Sequence, residues 1–122
     1  MYSATLIDHF ERPRNAGQFA PGPGVIAATA GRRDQGVQFT LSARVAGQTL
    51  EALRFQVYGC PHCIAAGSWL TERLRGCGRE ELRTWSWREA AATLEVPAEK
   101  RGRLLILEDA VRSLAEAWAR LS

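Results

Sequence analysis

The chain has 122 residues, 46% hydrophobic and 24% charged, with a formal charge of +3, an ordinary globular composition that excludes a disordered chain and is enough for a single domain over residues 1–122. Its arginines are spread beside glutamates rather than gathered in a basic stripe interleaved with aromatics, so nucleic acid is not an expected partner. No apolar run approaches the roughly 18 residues of a membrane span and the opening MYSATLIDHFERPRN lacks the layout of a secretory signal, so a cytoplasmic protein without a membrane partner is expected.

Residues 2–11 read as a short amphipathic helix capped by Ser3, with Leu6, Ile7 and Phe10 on one side and Pro13 ending it. His9 on that helix is expected to face solvent or to cap it. The segment NAGQFAPGPG that follows, with Gly and Pro at close spacing, predicts an extended crossing. A strand is expected at residues 25–28. Two apolar alternations come next, Phe39, Leu41, Ala43 and Val45, then Leu50, Leu53, Phe55 and Val57 with one slip in phase. Ala46-Gly47-Gln48 between them is a hairpin-sized turn with a glycine free to take positive φ, which predicts antiparallel partners.

After Cys60 the pattern is helical. Residues 64–75 keep apolar positions at helical spacing and stop at Gly76-Cys77-Gly78. Residues 87–94 form a shorter helix closing before Pro97, and residues 104–121 a long one with a strongly apolar face. Trp69, Trp85, Trp87 and Trp118 are expected in the core or between helices. Strands first and helices afterwards predict an α+β fold: an N-terminal helix, an antiparallel sheet of about three strands and a C-terminal helical layer on one face.

The chemistry concentrates in Cys60-Pro61-His62-Cys63. Three cysteines, two of them in this C-x-x-C, do not make a secreted disulfide framework and suit a reducing compartment. Two sulfurs at this spacing can converge on one metal or on each other. Pro61 suits the first turn of a helix, whose free N–H groups and positive dipole end stabilise a thiolate. Iron–sulfur clusters and zinc both suit soft thiolates but take four ligands, of which this pair supplies two. Cys77 is expected to be an exposed thiol without a role, roughly 20–25 Å away along the intervening helix. As a thiol–disulfide site the same four residues read differently, because strongly oxidising proteins carry His between two such cysteines. A thioredoxin fold is not expected, since no strand pattern follows Cys60.

Several segments resemble, in order, those of the NifU/IscU-like iron–sulfur cluster scaffold family. They are Tyr2-Ser3 through Leu6-Ile7-Asp8-His9-Phe10, then Pro13-Arg14-Asn15-Ala16-Gly17, Arg54-Phe55-Gln56-Val57-Tyr58-Gly59-Cys60, Ile64-Ala65 with Thr71-Glu72, and Glu108-Asp109-Ala110. The resemblance covers nearly the whole chain. It implies a non-enzymatic scaffold that holds a transient [2Fe–2S] cluster on three cysteines and an aspartate, takes sulfur from a cysteine desulfurase and hands the cluster to acceptor apo-proteins.

Set against that pattern, this chain keeps only Cys60. The first cysteine position falls in the loop Gly31-Arg32-Arg33-Asp34-Gln35-Gly36, the third on Arg103, and the adjoining histidine position on Gly102. A partner-chaperone run in part of the family is matched only by Val96-Pro97-Ala98-Glu99-Lys100. The implied ligands for iron or a cluster are thus Cys60 and Cys63, with Asp34 or His62 completing the set or a homodimer contributing a second pair; zinc is the alternative metal. Arg103 would lower a thiol pKa if it lies where the missing cysteine stood. Two other readings stand beside this one: a thiol-redox or persulfide-accepting protein using Cys60 and Cys63, and an interaction module of the same fold without the chemistry.

Overall fold

The computed structural model describes residues 2–121. Helix α1 spans Ala4–Glu11. The Ser3 hydroxyl accepts the Leu6 N–H at 3.1 Å and donates to the Leu94 carbonyl at 2.9 Å, so the cap also ties the helix to the far half of the chain. Leu6 and His9 are the buried pair on α1, while Ile7 and Phe10, expected to dock, stay exposed. His9 therefore does not face solvent. Its Nδ1 lies 2.7 Å from the Ser68 hydroxyl and its Nε2 3.6 Å from Glu72, partners that offset the burial of the ring.

Three strands follow in the antiparallel order β1-β2-β3: β1 Val25–Arg32, β2 Val37–Ala46 and β3 Thr49–Tyr58. β1 is twice the expected length. The Gly47 turn joins β2 to β3 at φ +61°. The slip in phase is a bulge: Arg44 pairs with Ala52 and Val45 with Leu50, leaving Glu51 extra, so that both Leu50 and Leu53 reach the core. Residues 15–17 run alongside β3, where Phe55 N–H bonds the Asn15 carbonyl at 3.0 Å and Gly17 N–H the Phe55 carbonyl at 2.8 Å.

The remaining elements are helices: α2 Pro61–Arg73, α3 Arg79–Thr84, α4 Trp87–Thr93 and α5 Gly102–Ala119. α5 lies on β1 and β2, α2 on β3, and α1 on α2, while α3 and α4 pack against α5. Phe39, Leu41, Ala43 and Phe55 on the inner face of the sheet join Leu70, Leu104, Leu107, Val111 and Leu114 in one buried cluster. α3 escapes sequence patterning because Leu82 is its single buried position. Trp85 and Trp118 are buried, and Trp69 and Trp87 pack against the core more openly. Among the described residues no helix is long and apolar enough to cross a membrane.

Cys77 corrects an expectation. It is buried, 7% accessible, because Gly76 at φ +86° turns the chain back onto the start of β3. There the Gly76 N–H bonds the Leu50 carbonyl and the Leu50 N–H bonds the Cys77 carbonyl, both at 2.8 Å.

Candidate functional site

β3 ends at Tyr58, and a single residue, Gly59, separates it from Cys60, the N-cap of α2. Pro61 occupies the first turn, where its missing N–H costs no helical bond. The Cys60 carbonyl accepts the N–H of both Cys63 and Ile64, at 2.9 and 3.1 Å. This first turn brings the two sulfurs to 3.8 Å and sets the Cys60 sulfur 3.9 Å from His62 Nδ1.

The two cysteines are unlike. Cys60 is half-buried, whereas Cys63 is 0% accessible. Cys63 is enclosed because it turns into the core beneath α2 together with Ala65 and Ala66. Burial opposes the Cys60 anion, but the Cys63 N–H, the Cys63 thiol, the His62 N–H and the Arg103 charge together outweigh it, so its pKa lies below that of an ordinary thiol. Cys63 is pushed up to about 12, first by burial and then by the neighbouring Cys60 charge. Cys60 is therefore the more readily ionised of the pair, and Cys63 the one that holds its proton more tightly.

His62 is 6% accessible rather than an exposed first-turn residue. The Tyr2 ring stands edge-on against it, centroids 5.0 Å apart. Burial lowers its pKa, and Lys100 and Arg103 act in the same direction, so the imidazole is neutral at neutral pH. Arg103, in the first turn of α5, brings its charge to bear on both sulfurs and on His62. Its Nε is buried without a hydrogen-bond partner.

Asp34 sits in a short 3-10 turn, Arg33–Gln35, between β1 and β2. Its carboxylate is exposed and engaged by Arg32 at 2.8 and 3.1 Å. Among the described residues no three His, Cys, Asp or Glu side chains are grouped so as to hold a metal ion. The Cys60 sulfur has Cys63 and His62 as neighbours, while Asp34 is turned to Arg32.

Two contributors were not evident in the sequence. Tyr2 covers His62 from the far end of the chain, which no local pattern signals. Gly59 is the other: a Cβ there would lie 2.9 Å from the Cys63 Cβ and sulfur and 3.1 Å from Val37. A glycine just before the cysteine at a strand-to-helix turn was the available clue.

A three-stranded antiparallel sheet covered on one face by helices, with a half-buried cysteine where the last strand gives way to a helix, defines the class: a small α+β domain. The chain belongs to the family described as the NifU-like N terminal domain, whose model matches residues 1–120. It is 36% identical over 124 residues to the bifunctional protein NifU/MnmA of Rubrobacter xylanophilus, an alignment using 98% of this chain but spanning a quarter (25%) of that protein. It is 33% identical over 118 residues to the iron–sulfur cluster assembly scaffold protein IscU of Escherichia coli, covering 92% of this chain and 89% of that one. The fold matches the crystal structure of a nitrogen-fixing NifU-like protein (N-terminal) from Brucella abortus with a TM-score of 0.73 at 16% identity, over 98% of this chain and 95% of that chain.

Proposed function

We propose that this chain is a non-enzymatic scaffold or carrier in iron–sulfur cluster assembly, acting as one domain in the cytoplasm and holding its cargo at Cys60. Family membership and the naming of its relatives as cluster-assembly scaffolds support the pathway. The observation that carries the site is the partly open, readily ionised Cys60 at the start of α2, beside a cationic Arg103. A cysteine desulfurase would supply sulfur and acceptor apo-proteins would receive the product, as the family resemblance implies.

The cargo, iron or a [2Fe–2S] cluster, takes four ligands. Within one chain the donors do not suffice: Cys63 is enclosed and protonated, and Asp34 would first have to leave Arg32. A homodimer in which each chain contributes Cys60, with neutral His62 nearby, meets the requirement better. Zinc is the competing metal for the same donors.

Anaerobic reconstitution with iron and sulfide should give visible charge-transfer absorption that Cys60→Ser abolishes, with iron bound at a stoichiometry that reports the dimer. A colourless wild type with no bound iron would sink the reading.

A further inference from the structure

The scaffold reading leaves unexplained why a second sulfur stands 3.8 Å from Cys60 yet is itself 0% accessible. We propose that Cys63 is the internal reductant of this site: when Cys60 carries a sulfane sulfur taken from a donor persulfide, Cys63 displaces it as hydrosulfide and leaves a Cys60–Cys63 disulfide. The inference rests on Cys60 being the thiol that takes the cargo, and it makes sulfide release, rather than cluster ligation, the work of Cys63.

The order of events follows from access. An external donor can reach Cys60, which is half-buried, but not Cys63, which is enclosed with the Cys60 sulfur 3.8 Å away. The first turn of α2 fixes both sulfurs through the shared Cys60 carbonyl, and Gly59 closes off the space behind Cys63. Bond formation requires the sulfurs to close to about 2.05 Å, a movement that rotation about two Cα–Cβ bonds supplies. Arg103 favours negative charge at this site: its positive charge acts on both cysteines, and its buried Nε has a hydrogen to donate and no acceptor. A sulfur anion on Cys60 is the kind of partner that Nε lacks.

The step balances. In loading, the Cys60 thiolate attacks the terminal sulfur of the donor persulfide, whose sulfur–sulfur bond breaks to release the donor thiolate. In release, the persulfide anion on Cys60 takes the Cys63 proton, the Cys63 sulfur so freed attacks Cys60 Sγ, and the bond from Cys60 to the sulfane sulfur breaks, that sulfur leaving with the electron pair as hydrosulfide. The sulfane sulfur is reduced and the two cysteines are oxidised. A low-molecular-weight thiol reductant returns the disulfide to the dithiol.

The test uses reduced protein, without iron or oxygen, mixed with glutathione persulfide. Wild type should release hydrosulfide while peptide mass mapping finds a Cys60–Cys63 disulfide. Cys63→Ala should keep the extra sulfur on Cys60 and lose the release, Cys60→Ser should neither load nor release, and Arg103→Gln should load and release more slowly. Wild type that holds its persulfide as stably as Cys63→Ala, or that releases hydrosulfide without this disulfide, overturns the proposal. The disulfide is mapped in the wild type, so the test is decisive even if Cys63→Ala folds poorly. Because iron is absent, this result is read independently of the colour that tests the scaffold assignment.

Discussion

A Cβ on Gly59 would fall 2.9 Å from the Cys63 sulfur, so the residue before the cysteine pair and the buried member of that pair share one space. Gly59→Ala must displace either the sulfur or the backbone turn, with Val37 at 3.1 Å closing the other side. The expected cost is overpacking of about 1–3 kcal/mol. A lowered urea midpoint with unchanged slope would report it, and Cys63 should become open to alkylation. Wild-type stability together with a still unreactive Cys63 would show that the turn relaxes freely.

Gly67 presents the same conflict deeper in the fold. A Cβ there would come 2.5 Å from Phe55 Cδ2 and 2.8 Å from Cε2, against a ring that is itself only 2% accessible. Alanine is favoured over glycine within helices by about 1 kcal/mol, whereas forcing a methyl against a packed ring costs about 1–3 kcal/mol. The clash should win, and Gly67→Ala should lower the midpoint of denaturation. A stabilised variant would mean that α2 lifts from β3 without penalty.

Thiol labelling should separate the cysteines. With iodoacetamide near neutral pH, Cys60 should react at a rate whose pH midpoint lies below that of an ordinary cysteine, and Cys63, pushed up to about 12 and enclosed, should remain unlabelled in the native protein. Arg103→Met should move the Cys60 midpoint upward with little loss of stability, since the Nε it removes has no hydrogen-bond partner. An unmoved midpoint would remove Arg103 from the electrostatics of the site.

Acid should weaken the fold well before the carboxylates protonate. Burial is the leading cause that lowers the pKa of both His9 and His62 below the usual 6.5. As pH falls through that value the unfolded chain takes up protons that the folded chain refuses, so stability falls, and the loss levels off only below the folded-state pKa values. Urea midpoints measured on either side of about pH 6.5 should differ in that direction. His9→Gln should remove part of the difference. A midpoint flat from neutral to mildly acid pH would contradict the burial of these rings.

The sheet and the long helices were legible in the sequence because their residues alternate or recur at fixed spacing: Phe39, Leu41 and Ala43 on β2, and Leu104, Leu107, Val111 and Leu114 on α5, are buried in the structure. Spacing also placed Cys60 and Cys63 at a helix start. Hidden from that reading were properties set by distant chain. Tyr2 covers His62, Ser68 gives His9 its partner, and the return of Gly76 onto Leu50 buries Cys77. The difference between the two cysteines was hidden for the same reason. Neighbours in sequence say that both sulfurs begin a helix, but only the sheet beneath and α5 beside them decide which one is enclosed.

The two backbone hydrogen bonds joining Gly76 and Cys77 to Leu50 staple the exit of α2 to the entrance of β3. Strand and helix thereby form a closed loop of chain, fastened at one end by this pair and folded over at the other by Gly59. Such a unit resists spreading from its stapled end, which favours rotation of the cysteine side chains as the movement that exposes sulfur. The amides of Leu50 and Gly76, both held by this staple, should accordingly exchange slowly.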